Sequence, residues 1–252
     1  MRVVVCCKQI PDPATPYELD PSDFSLIRPE DQILDDTDRY GIEVGLQLAQ
    51  AASGSVTAIS MGPAGSMQGI RQALAMGVDG AIVVEDPALH GADALLTARV
   101  LAAAATRAGF DLVVAGTEST DGYSGVIPQM MAEALAIPSL TYATKVEAGD
   151  GKAVIHRQTA AGYDVVEAAL PAVVSVTAGA VEPRYPTFKG IMDAKKKPVE
   201  TLGLADLGIA VSVDQEVVGV EQSASRTGGS VIEDDGQAHL RIIELLEARK
   251  VI

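Results

Sequence analysis

The stretch Val113-Val114-Ala115-Gly116-Thr117-Glu118-Ser119-Thr120-Asp121-Gly122-Tyr123-Ser124-Gly125 decides how this sequence is read. It opens as the end of a strand predicted over 111–115, then breaks into glycines, hydroxyls and carboxylates. A helix predicted over 125–135 follows. In an open parallel sheet, ligands sit beyond the carboxyl ends of strands. Glycine lets a backbone approach a ligand closely. Ser and Thr hydroxyls, with the free N–H groups of a helix start, can hold a phosphate. The segment is neither a Walker P-loop nor a GxGxxG fingerprint. An ordinary polar strand–helix connection has the same composition, and both readings stand on this segment alone.

Working outward, strands and helices alternate on both sides of it. Short β-branched runs predict strands over 3–7, 56–61 and 81–84. Helices are predicted after Asp38 or Thr37 as cap, from Ser66 to a stop at Gly77, and over 92–107. Such alternation implies an α/β fold: a doubly wound, mostly parallel sheet of the flavodoxin or Rossmann-like kind, with helices on both faces. Two further strand ends, Cys6-Cys7-Lys8-Gln9 and Met61-Gly62-Pro63, converge on the same crevice in such a sheet. Cys6 there is either a wall of the crevice or plain core. Lys8 either attracts a phosphate or is solvated.

Prolines at 11, 13, 16, 21 and 29 make residues 11–29 an irregular excursion. Beyond Pro138 the texture changes. Residues 141–147 and 153–157 read as antiparallel strands around Gly149-Asp150-Gly151, and 165–169 and 172–176 extend that sheet. Residues 183–197 read as a loop ending in Lys195-Lys196-Lys197, whose plain reading is a solvated face. The segment 223–230 is rich in Ser and Gly, the composition of a mobile stretch. Leu240, Ile243 and Leu246 then share one face of a terminal amphipathic helix.

Composition narrows the function. The formal net charge is -15 over 252 residues, which opposes binding to nucleic acid or an anionic membrane surface. The first apolar run is too short to be a signal peptide or to span a bilayer, and the two cysteines are adjacent on a strand, where they cannot pair. A reduced, cytoplasmic location is expected. The three histidines are scattered and give no zinc or iron–sulfur spacing. No nucleophile–base pair is visible, and Asp35-Asp36 and Asp234-Asp235 read as solvated turns. That absence leans against hydrolysis.

Three blocks carry a resemblance to a known family. They are Val4-Val5-Cys6-Cys7-Lys8-Gln9-Ile10-Pro11-Asp12, then Ser60-Met61-Gly62-Pro63 with Arg71-Gln72-Ala73-Leu74-Ala75-Met76-Gly77-Val78-Asp79, and then residues 182–197 from Glu182-Pro183-Arg184-Tyr185 to Lys197. In this order and spacing the chain resembles the β subunit of electron-transfer flavoproteins along nearly its whole length. The resemblance implies a heterodimer in which the α subunit carries the redox-active FAD and the β subunit holds a structural AMP. It implies an AMP pocket formed by Cys6, Asp35, Met61 and residues Gly116, Thr117, Glu118, Ser119, Thr120, Asp121, Gly122, Tyr123, Ser124, Gly125 and Val126. Gly125 and Val126 would meet the phosphate through backbone N–H groups, and Cys6 and Met61 would line the adenine slot.

The same resemblance implies a docking loop over 183–197 for acyl-CoA dehydrogenases, with Tyr185, Phe188, Ile191 and Met192 at its surface and Phe188 where the family has an aliphatic anchor. Electrons would pass on to a quinone reductase. Residues 1–221 would form the nucleotide-binding domain, and 222–252 an arm against the α subunit. The chain departs from the family pattern in several places. It has Asp35-Asp36 for the usual Asn-Pro, and Ala161-Gly162-Tyr163-Asp164 for an acidic Gly-Gly signature. Pro13 stands where some members place a tyrosine near the flavin, though Tyr17 is close by. Tyr123 and Ser124 replace residues of the electron-bifurcating branch, whose β site holds a second FAD, while Gln129-Met130 is similar to the AMP branch. A bifurcating complex is the first alternative, and a stand-alone adenine-nucleotide protein the second.

Overall fold

The computed structural model describes residues 1–62, 65, 67–221, 229 and 231–252. Along the chain run β1 (Arg2–Cys6), a short ribbon of β2 (Gln9–Ile10) and β3 (Ile33–Leu34), α1 (Asp36–Ala51), β4 (Ser55–Met61), α2 (Gln68–Met76) and β5 (Gly80–Val84). Next come α3 (Ala94–Ala108), β6 (Leu112–Gly116), α4 (Ile127–Leu135), β7 (Ser139–Gly149), β8 (Lys152–Thr159), β9 (Gly162–Ala169) and β10 (Ala172–Val176). The chain continues with α5 (Phe188–Ala194), β11 (Val199–Leu202), α6 (Leu204–Leu207) and α7 (Ala238–Ala248). By their internal contacts these residues fall into two units, Met1–Val217 and Val218–Ile252.

The first unit is built on one nine-stranded sheet in the order β11-β5-β4-β1-β6-β10-β7-β8-β9. The seven strands from β11 to β7 are parallel, and β8 and β9 add on antiparallel. The α/β, mostly parallel architecture expected from the alternation is therefore present. Its physical basis is visible in β1. Val3 and Val5 point to the face covered by α1 and α2, and Val4 points to the face covered by α3 and α4. All three are at most 1% exposed. Each such valine stabilises the fold by about 1.5–3 kcal/mol relative to exposure. A strand covered on both faces has no polar side, so it reads as an unbroken apolar run.

β1 lies between β4 and β6, so the chain leaves it to one side and returns on the other. That reversal opens a crevice at the carboxyl ends of β1 and β6. It is the place where the 113–125 stretch turns from strand to loop.

Several expectations are corrected. Residues 172–176 do form a strand, but β10 does not follow β9 outward; it inserts between β6 and β7. It can do so because β7 is long. Its first residues pair with β10, and the rest projects to pair with β8. The expected cap of α1, Asp38 or Thr37, is instead Asp35, whose carboxylate accepts from the Thr37 N–H. The segment 183–197 is not all loop, because Thr187 caps α5 within it. Ser66, expected to start α2, lies outside the described residues, as does most of 223–230. α2 begins at Gln68 and ends at Gly77, whose φ of 133° suits a helix stop.

Candidate functional site

The loop between β6 and α4 is held from below by buried charge. Asp35 is fully buried (0% exposed), against its expectation as a solvated turn. One carboxylate oxygen accepts from Thr37, and the other accepts from the Thr120 N–H at 2.7 Å and hydroxyl at 3.1 Å. The α1 cap and the β6–α4 loop therefore share one carboxylate. Asp121 sits midway along the loop, its side chain 1% exposed, and takes Lys8 Nζ at 2.6 Å on one oxygen and Arg28 at 2.7 Å on the other. Burial opposes ionisation of Asp121, but the two cations outweigh it and hold its carboxyl below the usual range. Lys8 also donates to Ser119 at 3.2 Å. Lys8 is thus partly solvated, its side chain 36% exposed, with its ammonium paired to Asp121.

Asp38 completes the floor. It accepts from the Lys8 N–H at 2.6 Å. Burial, then the neighbouring Asp35, pushes its carboxyl well above the usual range. Gly116, where β6 ends, sits against it; a Cβ there would lie 3.1 Å from an Asp38 oxygen. Thr117 and Glu118 are tied sideways, Thr117 by its hydroxyl to the Val176 carbonyl and Glu118 by its carbonyl to the Thr37 hydroxyl.

Above this floor the loop turns through Tyr123 (φ 47°) and Gly125 (φ 65°) into α4. No side chain caps α4, and Pro128 in its first turn has no N–H. Among the described residues, nothing accepts from the N–H groups of Ser124, Gly125, Val126 and Ile127. Gln129 donates to the Gly125 carbonyl at 3.2 Å, while its own amide oxygen is buried with no partner. Open amides at a helix start form an anion site, because the helix dipole adds positive potential there. A buried orphan acceptor beside them suits a hydroxyl or amino group.

One wall of the crevice is apolar. Cys6, Met61, Ile127 and Met130 lie partly buried on the α4 side of the sheet, and Cys6 Sγ is 3.8 Å from Met131 Sδ. Burial, reinforced by Asp38, pushes the Cys6 thiol up, so it stays protonated and acts as a small apolar group. On the open side stands Tyr17, its phenol beside Thr120; burial, then Asp121 and Asp35, raises its pKa. Cys6, Met61 and residues 116–126 thus gather at one sheet edge. Asp35 is there too, but as an internal brace whose two oxygens are both engaged. Sequence reasoning missed Thr37, Asp38 and Arg28. The signal for Arg28 was Asp121 itself, since a carboxylate inside a ligand loop calls for cations.

A second assembly surrounds the segment 183–197. Arg184 forms a two-pronged pair with Glu43 of α1, at 2.7 and 2.9 Å. Burial opposes ionisation of Glu43, but the hydrogen bonds from Arg184 and Gln47 prevail and hold its carboxyl down. Lys197 donates to the carbonyls of Leu74 and Val78 at 2.9 and 2.7 Å, closing the end of α2. It is therefore not part of a solvated lysine face, unlike Lys195 and Lys196. Gly190 packs so closely on α2 that a Cβ would strike the Ala75 carbonyl. Between these anchors Tyr185 (81% exposed) and Phe188 (83%) stand out, with Ile191 and Met192 half exposed. In the second unit, α7 has no buried residue, and Leu240, Ile242, Ile243 and Leu245 are exposed. Among the described residues no helix is long and apolar enough to cross a membrane.

Fold and crevice define a doubly wound α/β protein whose crevice lies at the carboxyl ends of the parallel strands. Residues 23–207 match the electron transfer flavoprotein domain family. An electron transfer flavoprotein subunit beta from Mycobacterium tuberculosis is 39% identical, over 100% of this chain and 99% of that protein. Another, from Thermoanaerobacterium thermosaccharolyticum, is 33% identical with both chains fully covered. A subunit of the caffeyl-CoA reductase-Etf complex of Acetobacterium woodii is 34% identical over 83% of this chain and 81% of its own length. The chain belongs to the electron-transfer flavoprotein family and matches its β subunits.

Proposed function

We propose that this chain is the small subunit of a heterodimeric electron carrier: it binds AMP in the 116–126 crevice and pairs with an α subunit that carries FAD. The observation that carries the reading is the row of open N–H groups from Ser124 to Ile127 at the uncapped start of α4. Those amides, with the α4 dipole, would hold the phosphate. Cys6, Met61 and Met130 would face the adenine, and the orphan Gln129 oxygen would accept from a hydroxyl or amino group. Asp35 would act by bracing Thr120 and not by touching the ligand. The Glu118 carboxylate lies beside Gly125, and like charge would turn it outward when a phosphate is present.

The FAD supplies the electron chemistry. This chain's part is to order the crevice, to cover apolar surface on its partner, and to present the docking segment. Electron transfer between bound flavins needs proximity and not acid–base groups, which fits a crevice whose titratable residues pair with one another. The exposed side chains of Tyr185, Phe188, Ile191 and Met192 would dock acyl-CoA or related dehydrogenases, with a quinone reductase as acceptor. The apolar face of α7 would be covered by the α subunit, with residues 222–252 as an arm. The Acetobacterium relative, named as part of a reductase complex, favours a second reading, in which the crevice holds a second FAD and the complex bifurcates electrons.

Co-purification with the α subunit, denaturation and chromatography of the released nucleotides separates the two. One FAD and one AMP per heterodimer is the expected result. Two FAD and no AMP would replace it with the bifurcating reading.

A further inference from the structure

Residues 11–32 are the largest irregular part of the first unit, and their placement is specific. The β2–β3 ribbon forms their stem, with Gln9 paired to Leu34 and Ile10 to Ile33. Within the segment, Asp20 N–H donates to the Ser25 carbonyl and Ile27 N–H to the Glu18 carbonyl, making a small inner hairpin. The segment is tied to the crevice and beside it. Arg28 reaches Asp121 of the ligand loop at 2.7 Å, and also contacts the Gln9 carbonyl and Gln32. Tyr17 lies against Thr120, with Tyr123 near. Asp23 meets His90, beyond β5, at 2.7 Å.

Asp121 is thus the meeting point of two parts of the chain. Its N-terminal neighbour Thr120 is fixed by Asp35, and its C-terminal side leads through two residues of positive φ, Tyr123 and Gly125, into the open amides. A loop whose backbone binds the ligand must be held in one shape beforehand, because any freedom it retains is lost on binding. Lys8 sits on β1's own exit and can hold Asp121 whether or not the 11–32 segment is in place. Arg28 belongs to that segment and cannot.

Resting on the nucleotide reading of this crevice, we propose that residues 11–32 are a strap latched to the ligand loop by Arg28, so that nucleotide binding and ordering of the strap are one linked equilibrium. Arg28 is a positioning residue: it acts on the nucleotide through Asp121 and the turn beyond it. Linkage is reciprocal, so a bound nucleotide tightens the strap by the factor with which the strap tightens the nucleotide. Couplings of this kind span about 5- to 150-fold in affinity.

The test uses the heterodimer. Hydrogen exchange of residues 11–32 and 117–126 is measured with its nucleotide bound and after removal, and the release rate of bound AMP is measured for wild type, Arg28→Ala and Arg28→Lys. Removal of the nucleotide is expected to raise exchange in both segments while β9, far along the sheet, is unchanged. Arg28→Ala is expected to speed AMP release by about 5- to 150-fold and to loosen the strap with nucleotide still present; Arg28→Lys restores part of both. A general loss of stability would raise exchange in β9 as well. A wild-type complex that binds no adenine nucleotide overturns the crevice reading, and this inference with it. A complex that binds nucleotide, yet whose strap exchange ignores its removal, overturns the strap linkage alone. That comparison needs no variant, so a misfolded Arg28→Ala protein does not shield the proposal.

Discussion

The crevice loop 117–126 and the docking segment 183–197 are both connections on the surface of the first unit, yet they use their side chains in opposite directions. In the crevice loop, Thr117, Thr120 and Asp121 turn inward and are consumed by Val176, Asp35, Lys8 and Arg28. What remains open is backbone N–H. In the docking segment the anchors stand at the ends, Arg184 on Glu43 and Lys197 on α2, and the side chains between them are left exposed. A small anion is recognised by a fixed backbone, so its loop needs internal braces. A protein partner is recognised by side-chain anchors filling pockets, so its segment needs a fixed base and a free apolar surface.

This contrast is broken most severely at Asp121. Asp121→Ala leaves two cations beside the crevice without their shared partner, and because Lys8 and Arg28 are 36% and 26% exposed and so partly solvated, the loss is about 3 kcal/mol, the low end for breaking a buried ion pair. Chemical denaturation of the heterodimer is expected to show that loss together with loss of bound nucleotide. Because the Asp121 carboxyl is held below its unfolded value of 3.8, its contribution is present above that pH and disappears as pH falls through the lower folded value. A shift no larger than that of a surface substitution would mean the loop stands without its braces.

Glu43→Gln tests the other base. The pair with Arg184 is charge-assisted and two-pronged, and its loss costs about 1.5–3 kcal/mol. Glu43 is also held below its unfolded value of 4.5, so its contribution is likewise present above that pH and is lost on acidification through the folded value. The distinguishing expectation is regional. Hydrogen exchange rises over 183–197 while nucleotide content stays at the wild-type level. Release of nucleotide by this variant would show that the two regions are not independent.

Asp38→Asn has a smaller effect of opposite sign. The amide can still accept from Lys8, while the repulsion with Asp35 and the burial of a charge are removed. A gain of about 1 kcal/mol is expected at neutral pH, at the low end for neutralising a buried charge. The sign follows from the raised folded pKa. Wild-type Asp38 contributes favourably below the unfolded value of 3.8, and that contribution is lost as pH rises through the folded value. Denaturation midpoints of the two proteins should converge below 3.8 and separate above it.

The parts legible in the sequence are those with a local cause. Buried parallel strands appear as apolar runs, and the β6–α4 loop as a sudden change of composition at one of them. Lys8, Arg28 and Asp121 were not joined by any pattern, because their partnership spans distant parts of the chain and one member lies in a proline-rich excursion. Asp35-Asp36 looked like a solvated turn because paired acids usually are; burial of Asp35 follows from what Thr120 brings to it. The strands β2, β3 and β11 are too short to display a period of two. α5 was read as loop because its helical residues follow Pro183 and Pro186 and present their apolar side chains outward.

Phe188→Ala sharpens the comparison with the smallest effect on stability. At 83% exposure the ring stabilises little within this chain, and the change is expected to stay within about 0.5 kcal/mol of zero. Bound nucleotide and FAD should be unchanged. If Phe188 fills a pocket on a dehydrogenase partner, truncation removes a central anchor worth about 2 kcal/mol or more, close to a 30-fold weaker association. Steady-state reduction of the flavoprotein by a dehydrogenase, measured against dehydrogenase concentration, reads this directly. The expected change is in the concentration dependence, with the rate at saturation retained. A loss of rate at saturation with unchanged concentration dependence would mean that Phe188 orients the bound partner and does not anchor it. The division between a region that binds by backbone and one that binds by side chain would then hold for the ligand and fail for the partner.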